Sequence, residues 1–298
     1  MDGILNINKA AGMTSFDVIA KLRKLLNTKK IGHAGTLDPD ATGVLPVCIG
    51  KATKVIEFLV EKDKEYFVTL KLGVETDTQD ASGTITKESL VASSDDEIRT
   101  AIESFIGDMM QIPPMYSAIR IKGIRLYEMA RQGIEIEREA RPVTIKYIKD
   151  IDIRRDGEDV KVFFSVACTK GTYMRTLCFD IGASLGCGGH MASLVRTRSG
   201  PFLLDDAITL EELALRKQSG TLEEIILNMD KALPGLPAFS IDDDQTKRLR
   251  NGLTIQWTDT SESKLVRLYS RESVFLSIGE MMNVSGEIRL KSYKWLGV

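Results

Sequence analysis

The clearest pattern of hydrophobic and polar positions begins at Thr14, where apolar residues recur at helical spacing. The hydroxyl of Thr14 and the carboxylate of Asp17 are typical of a helix N-terminus. The apolar positions that follow them are Val18, Leu22, Leu25 and Leu26. Similar patterns predict an amphipathic helix over 95–106, opened by a serine, and another over 172–185, closed by a glycine.

Runs of β-branched and aromatic residues predict strands over 65–72, 143–153 and 159–168. The last two flank a hairpin sequence, Arg-Asp-Gly-Glu. A segment with two prolines and a glycine, 228–237, is interpreted as an interdomain linker. Short strand candidates follow it at 253–257, 264–269, 273–278 and 287–290. Their spacing predicts a small β-barrel-like module of about 60 residues.

Composition limits the classes of protein to consider. The chain has 298 residues, of which 43% are hydrophobic, so it can bury a sizeable core and form two domains. Its formal net charge is −2, so any site for a polyanion must come from local clustering of cations. We find no signal peptide and no apolar run long enough to span a membrane. Four scattered cysteines indicate reduced thiols, and we predict a cytoplasmic protein.

Two segments concentrate positive charge. On the outer face of the first predicted helix and at its exit, no acidic residue lies between Asp17 and Asp38. The basic residues there are Lys21, Arg23, Lys24, Lys29 and Lys30. This run is either a solvated helix face, which is the commoner case, or an edge that contacts phosphates.

The second segment is 112–142, where the periodicity weakens and basic residues alternate with tyrosines. These residues are Arg120, Lys122, Arg125, Arg131, Arg138 and Arg141, with Tyr116 and Tyr127. Acidic residues are present too, so a plain helical hairpin is one interpretation. An insertion that grips RNA is the other, because basic and aromatic groups together bind phosphates and unstacked bases.

Several chemical motifs are incomplete. The segment 43–52 fails as a phosphate-binding loop, because leucine and alanine stand where a glycine and a hydroxyl are required. Cys178, Cys187 and His190 lack the second closely spaced pair of a structural zinc site, so no metal site is predicted and His190 is interpreted as structural.

The loop 32–43 holds a histidine, three glycines and the pair Asp38-Pro39. Asp-Pro and Asp-Ala-Thr-Gly are ordinary turn sequences. However, Pro39 favours an extended Asp38, and a fixed carboxylate can act as a nucleophile if a cation keeps it ionised. Arg175 begins a predicted helix just after a strand, and it is either a surface charge or the partner of Asp38.

Several segments resemble, in unbroken order, motifs of the TruB family of pseudouridine synthases. Gly-His-Ala-Gly-Thr-Leu-Asp-Pro-Asp-Ala-Thr-Gly-Val-Leu-Pro (32–46) is similar to the catalytic motif, and Lys-Gly-Thr-Tyr-Met-Arg-Thr (170–176) to the arginine motif. Further similar segments are 8–15, 64–66, 73–83 and 185–190. The likeness extends over 3–235, and the C-terminal segment is a looser match to a PUA-type module.

The resemblance implies an α+β pseudouridine synthase fold, with a mixed, largely antiparallel central sheet flanked by helices and loops. The catalytic domain would be 1–232, with a thumb-like RNA-binding insertion at about 112–142, and a PUA-like module would follow at 237–298. The implied activity is isomerisation of the uridine at position 55 in the TΨC loop of tRNA. It implies no cofactor, no metal and no obligatory protein partner, but a monomer acting on the T-arm stem-loop.

The resemblance also implies roles for particular residues. Asp38 would be the nucleophile, at C1′ of the ribose or C6 of the base, and Arg175 would keep it ionised. Tyr66 would stack on the flipped uracil and assist proton removal at C5. The implied substrate- or RNA-binding residues are His33 in the vacated stack, Leu194 against the base, Asp80 and Tyr173 behind the pocket, Lys9 beside the catalytic loop, and Arg120, Arg125 and Arg141 on phosphates.

Two other functions stay open. One is a non-catalytic RNA-binding or tRNA-folding protein on the same scaffold, against which Asp38, Tyr66 and Arg175 argue together. The other is an RNA-guided relative that modifies ribosomal RNA with partner proteins, which the bacterial-style insertion disfavours.

Overall fold

Two β-sheets organise the chain in a computed structural model that describes residues 1–117, 119–121, 123–258 and 263–297. The strands are β1 (Gly3–Lys9), β2 (Ile31–His33), β3 (Thr42–Ile49), β4 (Lys64–Leu72), β5 (Val74–Thr76), β6 (Ile85–Glu88), β7 (Gly107–Gln111), β8 (Arg120–Ile121), β9 (Ile124–Arg125), β10 (Arg141–Asp156), β11 (Asp159–Cys168), β12 (Gly189–Ser199), β13 (Phe202–Leu203), β14 (Ala238–Ser240), β15 (Ile255–Gln256), β16 (Leu265–Tyr269), β17 (Phe275–Val284) and β18 (Glu287–Trp295). The helices are α1 (Ser15–Leu26), α2 (Ile56–Val60), α3 (Asp95–Glu103), α4 (Leu126–Ala130), α5 (Met174–Ser184), α6 (Leu210–Gln218) and α7 (Asp243–Arg250), with 3₁₀ helices at Gly50–Val55, Leu222–Ile225 and Met229–Ala232.

The larger sheet has the order β1-β3-β12-β4-β11-β10-β7, with β2 paired to β3 and β13 paired to β12. Its pairs are antiparallel except for β3 with β12, which is parallel. The smaller sheet, β14-β16-β17-β18-β15, lies in the C-terminal segment. The expected α+β class, with a mixed and largely antiparallel central sheet, is confirmed.

Alternation along the central strands places one face of the sheet in the main core. In β4, Val68, Leu70 and Leu72 are buried, and Phe164 of β11 packs with them. Helices α3 and α5 cover this face through their own buried apolar residues, such as Leu177. Each such side chain stabilises the fold by about 1.5–3 kcal/mol through burial. The core therefore fixes β4, β11, β12 and α5 relative to one another.

The predicted helix starts are present in the structure. Thr14 caps α1, and its side chain and that of Asp17 form a reciprocal capping box. Ser94 caps α3 in the same way, but α3 ends at Glu103 rather than at 106. Residues 104–106 instead form tighter turns, in which the amides of Phe105 and Ile106 bond to carbonyls three residues back, and β7 then begins at Gly107 with φ +117°.

The described residues of 112–142 do not form a helical hairpin. Before β10 begins, their regular elements are the two-stranded ribbon β8–β9 and the five-residue helix α4. Arg125 and Arg131 both lie over the ring of Tyr127, at 5.8 and 5.4 Å from its centroid. The insertion therefore presents cations and an aromatic ring on one small hairpin.

The segment 228–237 is packed rather than extended. Ala232 and Leu233 are buried in a hydrophobic cluster that also contains Val55 of the first part of the chain and Ile278 and Leu296 of the C-terminal sheet. Lys51 also donates a hydrogen bond to the carbonyl of residue 297 at 2.7 Å. The predicted interdomain linker is therefore a packed connection, held against both the first part of the chain and the C-terminal sheet.

The four cysteines, Cys48, Cys168, Cys178 and Cys187, are free thiols and buried. Burial raises the pKa of Cys48 to about 12 and that of Cys168 to about 11, so both are protonated at neutral pH. Among the residues that the structure describes, none of the helices is long and apolar enough to cross a bilayer.

Candidate active site

Asp38 lies in the loop between β2 and β3, and side chains from elsewhere fix the backbone on both sides of it. Ser15 Oγ accepts a hydrogen bond from the Leu37 amide at 2.9 Å and is 3.3 Å from the Leu37 carbonyl oxygen. Lys9 Nζ donates to the Pro39 carbonyl at 2.8 Å. The conformation at Asp38 therefore depends on β1 and α1 as well as on the turn itself.

Lys9 is fully buried and uses its three donors on carbonyls, those of Pro39, Ala10 at 3.0 Å and Met13 at 2.7 Å. Burial lowers the pKa of Lys9 to about 8, and the nearby carboxylates of Asp40 and Asp38 oppose the shift. The ammonium is still largely protonated at pH 7, so it can hold the three carbonyls together.

Arg196 of β12 was not predicted from the sequence as part of the site. Its side chain is 1% exposed and donates to carbonyls of Val44 at 2.6 Å, Gly35 at 3.1 Å and Thr36 at 3.4 Å. A Cβ at Gly43 would come within 2.2 Å of the Arg196 carbonyl oxygen, so only glycine fits there. Arg196 thus holds the part of the loop before Asp38, as Lys9 holds the part after it.

The structure brings Asp38 and Arg175 together. Arg175 Nε is 3.0 Å from Asp38 Oδ2, and Nη2 is 3.3 Å from Oδ1, so two nitrogens face two oxygens. The Arg175 side chain is 6% exposed, whereas that of Asp38 is 39% exposed. The carboxylate therefore sits at an opening with its cation behind it, as a nucleophile that must meet a substrate requires.

The other side of the Arg175 guanidinium is also occupied. Nη2 donates to the carbonyl of Tyr116 at 2.8 Å, and Nη1 is 3.8 Å from Asp80 Oδ2. Asp80 is itself held by Thr78 Oγ1 at 2.7 Å and by Ser82 Oγ at 2.6 Å. The guanidinium thus links the Asp38 loop, the Asp80 turn and the backbone of Tyr116.

Burial and the neighbouring Arg175 cation have opposite effects on the pKa of Asp38. Removal from water raises the pKa of Asp38, and the Arg175 guanidinium opposes that rise. The carboxylate of Asp80 adds to the rise, and the Lys9 ammonium reduces it. Acid is therefore expected to protonate Asp38 at a higher pH than an ordinary aspartate.

Tyr66 and Leu194 lie on neighbouring strands beside this pair. Tyr66 of β4 is opposite Arg196 of β12 and packs against the core cluster that contains Leu194 and Leu37. Burial raises the pKa of Tyr66 to about 12, and the charge of Arg196 opposes the rise. The phenol is therefore neutral at physiological pH, which suits stacking better than proton abstraction.

Tyr173 is the N-cap residue of α5 and is joined to β7 by Gln111. The Gln111 amide accepts from the Tyr173 backbone nitrogen at 2.7 Å and donates to the Tyr173 carbonyl at 3.1 Å. This pair of bonds orients the start of the helix that carries Arg175. Gln111 is buried and was also not predicted, since a single glutamine gives no signal in the sequence.

His33 ends β2, five residues before Asp38, and is half-buried. Burial and the charge of Arg196 lower the pKa of His33, so its imidazole is neutral at pH 7. Its Nδ1 is buried and has no hydrogen-bond partner within the described ranges. A neutral, flat ring beside the Asp38 loop is a group that can stack on an unpaired base.

The three arginines expected to contact phosphates lie at different distances along the chain from the Asp38–Arg175 pair, on β8, β9 and β10. Arg141 begins β10 and is paired with Gln111 of β7, the residue that holds the backbone of Tyr173. Arg120 and Arg125 face each other across β8–β9, and within the described residues neither forms a hydrogen bond or ion pair with Asp38 or Arg175. Lys122 lies outside the described residues.

Comparison with family models gives three matches. Residues 23–174 match "TruB family pseudouridylate synthase (N terminal domain)". Residues 175–234 match "tRNA pseudouridylate synthase B C-terminal domain", and residues 237–289 match "Pseudouridine synthase II TruB, C-terminal".

Curated relatives are similar over most of their length. The tRNA pseudouridine synthase B of Alkaliphilus oremlandii is 54% identical, covering 85% of this chain and 82% of the relative. That of Clostridium perfringens strain SM101 is 45% identical, covering 94% and 95%. That of Heliobacterium modesticaldum is 46% identical, covering 99% and 94%.

Two solved structures share the fold. An H/ACA RNP bound to a substrate RNA containing 2'-deoxyuridine superposes with a TM-score of 0.73 at 28% identity, covering 99% of this chain and 85% of that chain. A Cbf5-Nop10-Gar1 complex gives a TM-score of 0.74 at 29% identity, covering 99% and 84%.

Proposed function

Because this chain belongs to the TruB family of pseudouridine synthases, we propose that Asp38 is the nucleophile of its reaction. The chain isomerises uridine 55 of tRNA to pseudouridine, and relatives that are 44–54% identical to it carry the name tRNA pseudouridine synthase B. The observation that carries the proposal for Asp38 is its paired contact with a buried guanidinium, 3.0 and 3.3 Å long, at an opening to solvent.

The reaction is an isomerisation, so substrate and product have the same atomic composition, and the enzyme has to supply a nucleophile. Attack of the Asp38 carboxylate on C1′ would form an ester and release uracil through N1, whereas attack on C6 would form an adduct with the base. In either route the C1′–N1 bond breaks, the uracil turns, C5 bonds to C1′, C5 loses its proton and N1 gains one. No step requires electrons, a phosphate or a metal from outside.

Arg175 has two tasks in this proposal. Its positive charge keeps Asp38 ionised against the effect of burial, and its two nitrogens aim both carboxylate oxygens. Its further contacts with the Tyr116 carbonyl and Asp80 hold the guanidinium in place while the carboxylate reacts.

Tyr66 and Leu194 would hold the flipped uracil, with Asp80 and Tyr173 behind them. A phenol with a pKa of about 12 is protonated at neutral pH, so Tyr66 acts as a stacking surface in the resting site. To remove the C5 proton, Tyr66 would first have to pass its own proton to another group. The Asp38 carboxylate, once released from the ribose, needs no such step.

Replacing His33 by alanine is expected to lower kcat/KM about 10- to 100-fold. Extruding a base costs a few kcal/mol, and stacking by a replacement ring recovers about 1–3 kcal/mol of it. The measurement is single-turnover kinetics on a tRNA in which uridine 55 is paired in its folded loop. A His33→Phe variant should recover most of the rate, and equal rates for all three proteins would exclude the stacking role.

The insertion and the C-terminal segment complete the proposed RNA-binding surface. We assign 1–232 to a catalytic domain with a thumb-like insertion at about 112–142, and 237–298 to a PUA-like module. Arg120, Arg125 and Arg141 would contact phosphates of the T-arm stem-loop, and such contacts make affinity fall as salt rises. The separate five-stranded sheet of β14–β18 supports the division.

We also propose that the chain acts alone, as a cytoplasmic monomer with tRNA as its partner. One chain supplies Asp38, Tyr66, Arg175 and the insertion, which supports this view. The test is incubation of the purified chain with an unmodified T-arm stem-loop, followed by mapping of the isomerised nucleotide. Product without any added protein or guide RNA is expected, and a requirement for either would contradict the proposal.

A further inference from the structure

The outer surface of α1 and the turn that follows it carry five exposed cations, which we call the α1 basic surface. Its members are Lys21, Arg23, Lys24, Lys29 and Lys30. Within the part of the chain that the structure describes, none of them has a carboxylate oxygen within 4.0 Å. The whole chain has a net charge of −2, so this surface is a strong local departure from the average.

The one acidic residue of α1 is already engaged. Asp17, in the first turn of α1, accepts hydrogen bonds from the Thr14 backbone nitrogen and hydroxyl. Helix α6 packs beside α1, and its Lys217 donates to the Leu25 carbonyl, which adds a further cation at the C-terminal end of α1. The glutamates of α6 nearest to its start, Glu211 and Glu212, lie in its first turn, at the other end of that helix.

The α1 basic surface is continuous with the catalytic loop. Ser15, the first residue of α1, bonds to both backbone groups of Leu37, next to Asp38. From there α1 runs 12 residues, which is about 18 Å, before it reaches Lys29 and Lys30. A polyanion held at Asp38 therefore has a row of unpaired cations leading away from it.

An exposed aromatic ring stands at the start of this row. Phe16 is 64% exposed, and the Arg23 guanidinium lies 5.9 Å from its ring centroid. A ring and a guanidinium together form a platform of the kind that binds nucleotides by stacking and charge. The inner face of α1, by contrast, is buried through Val18 and Leu22, so the helix has no apolar face left for insertion into a membrane.

The position of α1 complements that of the insertion. Strand β1, which leads into α1, is one edge of the large sheet, and β7, which leads into the insertion, is the other. Asp38 precedes β3, Tyr66 is in β4 and Leu194 is in β12, all between those edges. RNA over the site would thus meet cations on both sides.

We propose that the α1 basic surface binds phosphates of the tRNA that is seated at Asp38, on the side opposite the insertion. The proposal rests on the proposed function for the choice of ligand. It assigns Lys21, Lys24 and Lys29 to phosphate contacts, with Phe16 and Arg23 as a platform for a ribose or base.

The test compares two triple variants of equal charge. One is Lys21→Gln, Lys24→Gln and Lys29→Gln, and the matched control is Lys87→Gln, Lys149→Gln and Lys161→Gln, three cations elsewhere on the larger part of the chain. The Kd for unmodified tRNA and for the isolated T-arm stem-loop is measured between low and moderate salt, together with the single-turnover rate at saturating enzyme.

For the first triple we expect a Kd for tRNA raised about tenfold or more at low salt, and a log–log salt slope reduced by about two to three. The saturating rate should stay near that of the unaltered chain, because the catalytic contacts remain. An effect on the stem-loop as well places the phosphates in the hairpin, and an effect on tRNA alone places them outside it. Either result supports the proposal.

The proposal would be overturned if the two triple variants changed the Kd for tRNA equally. It would also be overturned if the Lys21, Lys24 and Lys29 variant changed neither the Kd nor its salt dependence. Binding of anionic phospholipid vesicles that the first triple abolishes, with tRNA affinity unchanged, would also overturn it in favour of a membrane surface. The Kd measurements need no turnover. Hence, if the activity of an Asp38→Asn variant disproved the proposed nucleophile, the result for the α1 basic surface would still stand.

Discussion

Asp38→Asn is expected to reduce pseudouridine formation by on the order of 10⁴-fold or more, as does the loss of other enzymatic nucleophiles. Asparagine has the same shape as aspartate, so the loop held by Lys9 and Ser15 should keep its conformation. Only the charge and the nucleophilic oxygen disappear. The measurement is single-turnover conversion of an unmodified T-arm stem-loop, with Kd for the same RNA determined in parallel.

Asp40→Asn is the matched control, because Asp40 is an exposed aspartate two residues away in the same loop. Its rate should stay within about threefold of the unaltered chain, as is usual for exposed substitutions. The Asp38 variant leaves Arg175 with the more distant Asp80 and a carbonyl as partners, so a lower Tm is expected too. Intact RNA binding separates a chemical defect from a folding defect.

Arg196→Met is expected to lower kcat about 100-fold or more while changing Kd for RNA little. Methionine fills much of the same buried volume, but it leaves the carbonyls of Gly35, Thr36 and Val44 without their donors. The loop before Asp38 can then shift, and a displacement of about 1 Å at reacting groups costs about 100-fold in rate. We therefore regard Arg196 as a positioning residue.

Arg198→Met provides the comparison on the same strand. Arg198 pairs with Glu65 at a partly exposed site rather than with the catalytic loop. Its loss should leave kcat near that of the unaltered chain. An Arg196→Lys variant, which keeps the charge but not the fork of donors, should have an intermediate rate. Equal kcat losses for Arg196→Met and Arg198→Met would show that general destabilisation of β12, and not loop positioning, is responsible.

The sequence predicted those elements that are determined by a few adjacent residues, such as helix caps and hairpin turns. The capping residues of α1 and α3 and the hairpin between β10 and β11 depend on a few adjacent residues, and the structure has them at those places. Strands β1, β3 and β12 were not predicted. In β1 and β3 nearly every residue is buried on both faces, so the alternation that marks an exposed strand is absent.

Around Asp38, too, residues in local motifs could be predicted from the sequence, whereas residues that act through distant contacts could not. The motif that contains Asp38 and the one that contains Arg175 could be found in the sequence, and their pairing was one of two interpretations considered there. Arg196 and Gln111 could not be found, since their importance lies in bonds to backbone atoms 62 to 161 residues away. Only the folded chain shows which carbonyls a buried arginine serves.

The acid limb of the pH–rate profile tests the central claim, that a carboxylate at position 38 kept ionised by Arg175 drives the reaction. Single-turnover rates are measured for the unaltered chain and for Arg175→Met. In both, the rate should fall as pH falls, because protonation removes the nucleophile. Loss of the guanidinium should move the midpoint to higher pH, because Arg175 opposes the rise in the pKa of Asp38. Identical midpoints in the two proteins, or an Asp38→Asn variant that retains the activity, would contradict the account.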